Sequence, residues 1–151
     1  MSGVDRTKFI GHETAPFTVD IEKGRLKFFA KAIGETDPIY ADEAAAKAAG
    51  HRTIPVPPTF LFCMQMEQPN PYALYTTMGI RIEQILHGEQ QFTYHKLAYA
   101  GDRLTLQMKI RDTYSKKGGT LGFVVRDTVI KDADGALVAV LTGTTVIRET
   151  M

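Results

Sequence analysis

The sequence predicts an α+β domain in which helices of the first half pack against a curved antiparallel sheet made by the second. Two observations lead there. Up to about residue 66 apolar residues recur at helical spacing or in one dense apolar run, and from about residue 84 the period changes to two. The strands then follow one another as a meander, the order of an α+β chain. The 151 residues suit a single domain spanning 1–151. Folding at that size buries roughly 68–70% of the unfolded chain's surface, enough for a core without disulfide or metal staples.

The first six residues are polar and are expected to be loose. Leu26, Phe29, Ala30 and Ile33 keep the i, i+3, i+4, i+7 spacing of an amphipathic helix, predicted over 21–33 with Asp20 as N-cap and Gly34 as stop. An Ala-rich helix fits between Asp42 and Gly50 by the same cap logic. The run from Pro57 to Met66 places two prolines in a first turn and continues almost wholly apolar, the pattern of a buried helix. Residues 67–83, with Pro69 and Pro71, read as an irregular excursion. Phe92 and Tyr94 mark a strand near 86–97. Leu104, Leu106, Met108 and Ile110 alternate with polar residues in a half-buried strand. Residues 120–131 and 136–148 are apolar on both faces, as central strands are. Lys117-Gly118-Gly119 and Asp132-Ala133-Asp134-Gly135 are the hairpin turns. Strands this long imply strong curvature, and one buried helix inside one curved sheet is the hot-dog arrangement.

Composition removes several classes of function. With 18 Lys+Arg against 17 Asp+Glu, the net charge of +1 lacks the positive excess of a nucleic-acid binder. No run approaches the ~18 apolar residues of a membrane span. The opening Met1-Ser2-Gly3-Val4-Asp5-Arg6 has no signal-peptide core, and a cytoplasmic location is expected. Cys63 is the single cysteine, so no intrachain disulfide forms, and its neighbours Phe62 and Met64 suit an inert core thiol. Asp132–Gly135 lacks the further ligands of a calcium loop and reads as a turn. Gly118, Gly119 and Gly122 precede a strand, whereas a phosphate cradle opens a helix. His87 and His95 lie ~26 Å apart along one strand and share no metal. Lys116-Lys117 is a solvated turn or, alternatively, a contact for a carrier's phosphate.

The informative run is Ala32-Ile33-Gly34-Glu35-Thr36-Asp37-Pro38-Ile39-Tyr40-Ala41-Asp42. A tight loop packed on a buried helix can hold side chains rigidly at a pocket mouth. By composition alone, the reading of Glu35 and Asp37 as loop caps and Tyr40 as a half-buried anchor is the favoured one.

This run resembles the hydratase motif of the MaoC-like (R)-specific enoyl-thioester hydratases and dehydratases, Gly-Asp-x-Asn-Pro-(Ile/Leu)-His-x-Asp. The resemblance extends through Ala44-Ala45-Ala46, Pro58-Thr59-Phe60, His87-Gly88-Glu89-Gln90 and Ala100-Gly101-Asp102, from about residue 17 to 148. It is most marked to the N-terminal-type (FAS1-like) dehydratase domain, including non-catalytic subunits of mycobacterial-type hydroxyacyl-carrier-protein dehydratases. It implies a hot-dog fold and reversible addition of water to a trans-2-enoyl thioester, with no metal or redox cofactor. It also implies Glu35 and Tyr40 at the catalytic positions, and Asp37, Pro58, Thr59, Phe60, His87 and Gly88 at substrate-binding ones.

Three departures from the motif stand out. Glu35 replaces the aspartate and adds a methylene, a shift of around an angstrom that is costly in catalysis. Tyr40 replaces the histidine, and a phenol with an ordinary pKa of about 10 is a poor base near neutrality. Pro58 replaces a glycine and has no N–H to offer a thioester oxygen, though Thr59 keeps its amide. A positioned acid or base is worth typically 10²–10⁴ in rate and an oxyanion donor ~10²–10³. The expectation is therefore a hot-dog subunit that is weakly active or inactive alone and completed by a catalytic hot-dog partner. The alternatives are a homodimeric hydratase built on Glu35, with Asp37, Tyr40, His51 or His87 orienting water or carrier, and an acyl-thioester binding module. The acyl chain length, and coenzyme A versus carrier protein, stay open.

Overall fold

The computed structural model describes residues 4–150. It is an α+β hot-dog fold: five antiparallel strands form one sheet in the order β1-β3-β4-β5-β2, with the helical segments on its inner face. β1 is Phe17–Asp20, β2 Ile85–Tyr94, β3 Arg103–Lys116, β4 Leu121–Lys131 and β5 Leu137–Arg148. The helices are α1 (Lys23–Ala32), α2 (Glu43–Ala48), α3 (Phe60–Cys63) and α4 (Ala73–Thr77).

β3, β4 and β5 fall where period two places them, because one face of each is buried; β2, at the sheet edge, has only Ile85, Gln90 and Phe92 half-buried. Leu104, Leu106, Met108 and Ile110 are buried on β3, Val124, Thr128 and Ile130 on β4, and Leu141, Thr145 and Ile147 on β5. Slipping any of them by one residue would turn that set to solvent. The first hairpin takes positive φ at Lys117, Gly118 and Gly119. In the second, Asp132 accepts from the amides of Asp134 (3.0 Å) and Ala136 (2.9 Å), so its carboxylate serves the turn.

Four local expectations change. Asp20 is not a helix cap: it ends β1, a strand too short to announce itself by alternation, and pairs with Arg103 at 2.7 Å. Glu22 stands at the N-cap of α1 and makes no side-chain cap. The N-terminus is not loose at Arg6, which is buried, donates to Met78 O (3.3 Å) and forms an ion pair with Glu149. The continuous buried helix over Pro57–Met66 is one turn, α3, followed by a 3-10 turn over Met64–Glu67, with Met66 exposed. Gln68, held extended before Pro69, stops it (φ −65, ψ 149). Nor is 67–83 an excursion: Leu74, Tyr75, Met78 and Ile80 are buried against Ile110, Val124 and Ile147 as a second core cluster.

Elsewhere the cap logic holds. Gly34 has φ +72, and the Glu35 amide closes α1 on Ala30 O at 2.9 Å. Asp42 accepts from the Ala45 amide at 2.8 Å and caps α2, which Gly50 ends at φ +91. Leu26 and Ala30 of α1 enter the main core, while Ile33 turns outward.

Two consequences are testable. A Cβ on Gly88 would stand 2.9 Å from Thr144 O and 2.9 Å from Val146 Cγ2. Gly88→Ala is therefore expected to lower stability by about 2 kcal/mol, in the range of overpacking, read as an earlier urea midpoint at constant m-value. Arg6→Ala leaves the buried Glu149 carboxylate without its partner, and the expected loss is about 3 kcal/mol, that of a broken buried ion pair, read from the same urea midpoint.

Candidate functional site

The loop from Gly34 to Asp42 is built by its own carboxylates. Glu35 Oε1 accepts from the amides of Thr36 (2.8 Å) and Asp37 (2.9 Å). Asp37 Oδ1 accepts from the Ile39 amide at 3.1 Å and caps the 3-10 turn Pro38–Tyr40. Amide N–H groups that would otherwise point to water are thereby satisfied locally, and Pro38 fixes the turn. Each carboxylate keeps its second oxygen clear of the hydrogen bonds described, and both residues are exposed.

Tyr40 closes the loop as a half-buried side chain. Burial first, and then the negative charges of Glu35 and Asp37, push its phenol above the ordinary value. At neutral pH it stays protonated and is a hydrogen-bond donor, not a base. Tyr94, at the end of β2, is raised by burial and by the nearby Tyr40 hydroxyl. Tyr94 also lines an open apolar groove of about 390 Å³ with Val56, Pro58, Leu61, His95 and Leu97. The groove is held in place by Val56 N–H···O Ala98 (2.9 Å) and Ala100 N–H···O Ile54 (2.9 Å), which tie the segment before α3 to the one before β3.

The residues expected to bind substrate divide between two places. Pro58 and Thr59 are exposed at the start of α3, Pro58 in the groove wall, and the Thr59 amide makes no hydrogen bond among the described residues. Phe60 turns into the core, its ring edge-on to Phe29 at 5.3 Å and beneath the Arg25 guanidinium at 5.6 Å. His87 and Gly88 are not brought to this loop. Seven residues separate His87 from Tyr94 along β2, roughly 23 Å at strand rise. The His87 ring stands edge-on to Phe62 at 5.1 Å, and Gly88 lies at a β-bulge pressed onto β5.

Other candidates are engaged elsewhere. His51 Nδ1 is 3.2 Å from the Tyr99 hydroxyl. Burial pushes the Cys63 thiol up, which suits a packing residue. Lys116 lies over the stacked rings of Tyr114 and Phe123, at 5.4 and 5.2 Å. Sequence reasoning passed over Tyr94 and His95 as groove residues, although their place at the end of a strand was a signal, and passed over Arg126. That arginine occupies an inward position of β4 between Val124 and Thr128, where alternation alone marks it as unusual. The arrangement thus offers two half-free carboxylates and a protonated phenol beside an apolar groove. It can position water and donate a hydrogen bond, and no imidazole belongs to the loop itself.

Residues 8–141 match the FAS1-like dehydratase domain region. A UPF0336 protein of Streptomyces coelicolor is 36% identical over 108 residues, covering 72% of this chain and 71% of that protein. Another, from Leifsonia xyli, is 36% identical over 135 residues, covering 89% and 88%. Among solved structures, the HadBC (3R-hydroxyacyl-ACP dehydratase) complex of Mycobacterium tuberculosis superposes with a TM-score of 0.77 at 24% identity, covering 91% of this chain and 96% of that one. The ChsH1-ChsH2 complex from the same organism gives 0.73 at 21%, covering 91% and 85%. At those identities the likeness is one of fold. The family match spans nearly the whole chain and includes the Gly34–Asp42 loop, Pro58 and the His87–Gly88 bulge: the chain belongs to the family of the FAS1-like dehydratase domain region.

Proposed function

We propose that the chain is a subunit of an (R)-specific enoyl-thioester hydratase, or in reverse a (3R)-hydroxyacyl-thioester dehydratase, that depends on a hot-dog partner for its imidazole. The observation that carries this is Tyr40. The loop keeps its acid at Glu35 and its shape, but the position where the motif has histidine holds a phenol that stays protonated. A missing general base costs typically 10²–10⁴ in rate, and a partner that contributes one restores it.

Two further features support the reading. β2 is an edge strand of ten residues with Leu86 and Tyr94 exposed, a surface that invites strand pairing by another chain. The HadBC and ChsH1-ChsH2 structures that share the fold are complexes of two named components. In the proposed assembly the groove beside Tyr94 takes the apolar part of an acyl-CoA or acyl-carrier-protein thioester. Tyr40 donates a hydrogen bond at its mouth, and the second oxygen of Glu35 orients water. The reaction consumes water and needs no metal or redox cofactor. Among the described residues no helix is long and apolar enough to cross a membrane, and we place the subunit in the cytoplasm.

The test is hydration of crotonyl-CoA by the purified, folded chain, with Glu35→Gln as control. The expected result is no turnover above background from the chain alone, and turnover on adding a hot-dog subunit, copurified from the source organism, that carries the intact aspartate and histidine. Turnover by the chain alone that Glu35→Gln abolishes would overturn the dependence on a partner and make this a complete enzyme.

A further inference from the structure

The second cavity on the inner face of the sheet lies apart from the Gly34–Asp42 loop and has a charge problem. It encloses about 250 Å³ between α3, α4 and the sheet, and its apolar wall includes Phe62, Met66, Tyr72, Leu86 and Met108. Arg126 and His87 also line it, and among the described residues Arg126 is its one side chain of fixed charge. The Arg126 guanidinium donates through Nη1 to the Tyr75 hydroxyl and through Nη2 to Gln65 Oε1 (3.2 Å). Because Tyr75 accepts from arginine, its own proton goes to Thr145 Oγ1, 2.8 Å away. Nε is enclosed on the side of Gly143, as is Gln90 Oε1, and neither has a hydrogen-bond partner among the described residues. No carboxylate forms an ion pair with Arg126 among the described residues; the adjacent Asp127 faces Thr142 (2.6 Å) and Arg111 (3.6 Å) instead.

The neighbouring strands make room for this arrangement. Gln90, Gly143 and Arg126 lie side by side across β2, β5 and β4. A Cβ on Gly143 would meet Gln90 Oε1 at 3.1 Å and Arg126 Nε at 3.8 Å. Burial lowers the guanidinium to about 10, so at neutral pH it still carries its proton. An enclosed cation without a counter-charge is costly. Three of its surroundings, Tyr75, Gln65 and Thr145, are neutral groups that orient it without neutralising it.

We propose that this cavity is a binding site for a small monocarboxylate with an apolar body, held by Arg126 through its carboxylate. Nη1 and Nη2 each carry a second hydrogen beyond those given to Tyr75 and Gln65, and a carboxylate accepts such hydrogens in a charge-assisted bond. One cation calls for one negative charge, which favours a carboxylate over a doubly charged phosphate. The volume holds roughly eight water- or methylene-sized groups at ~30 Å³ each, below the usual size of drug-like ligand pockets. The ligand class is therefore a short- to medium-chain carboxylic acid or a small ring of similar bulk. The site is independent of the thioester chemistry proposed above.

The experiment is calorimetric titration of the full chain with octanoate and, separately, with octan-1-ol, which has the same body without the charge. Octanoate is expected to bind saturably at one site, and octan-1-ol at least tenfold more weakly. Arg126→Met keeps the bulk and removes the enclosed charge; it is expected to fold with an undiminished melting temperature and to lose octanoate affinity at least tenfold. Leu86→Trp, at a partly exposed wall position, fills the cavity from its rim and is expected to abolish binding of both probes. Absence of octanoate binding to the unaltered chain, equal affinity for the two probes, or undiminished octanoate binding by either folded variant would each overturn the proposal. Octanoate has no thioester, so its failure leaves the hydratase reading untouched.

Discussion

The inner faces of β3, β4 and β5 form one apolar surface on which the helical segments are laid. Its continuity comes from pairing: Leu106 opposes Ile130 across β3 and β4, and Thr128 opposes Leu141 across β4 and β5. Backbone hydrogen bonds fix the register, and the buried set on each strand makes any slip expensive. Two core clusters grow on that surface. One lies under α1 and α3, centred on Leu26, Ile54, Phe60 and Met64; the other lies under α4, centred on Leu74, Tyr75 and Met78. The break of the middle helical segment into α3, a 3-10 turn and α4 lets it touch both clusters.

That division separates the groove beside Tyr94 from the second cavity. The first cluster carries α1, whose end launches the Glu35–Tyr40 loop, and α3, whose start offers Pro58 to the groove beside Tyr94. The second cluster carries Tyr75 against Arg126 and leaves a cavity between α4 and the sheet. β2 runs along both, with Tyr94 at one end and His87 near the other. A strand is stiff over this length, so Tyr94 and His87 meet different surroundings.

The loop shows how the shape of a motif can survive without its histidine. Glu35 and Asp37 each spend one oxygen on the loop's own amides. Their presence is therefore a structural requirement of the turn as well as a chemical resource. Replacing histidine by Tyr40 leaves that scaffold intact, because the phenol packs half-buried beside Tyr94 and its hydroxyl stays neutral. Fold retention and the loss of a base are physically compatible here.

Residue periodicity and turn chemistry were enough to read the four long strands, both hairpin turns, the caps at Asp42, Gly34 and Gly50, and the loop that carries Glu35 and Tyr40. Each of those depends on interactions within a few residues or on one buried face. β1 escaped because four residues hold too little alternation, and Asp20 therefore passed for a cap. The packing of Arg6 on Glu149 joins residues 143 positions apart, and the burial of Leu74–Ile80 depends on strands that follow it in the chain. Tertiary structure alone decided that His87 stands away from Tyr40, that Tyr94 and His95 flank the groove, and that Arg126 is enclosed with no counter-charge among the described residues. Local sequence sets the direction in which a side chain leaves the backbone; what it meets there depends on chain that is distant in sequence.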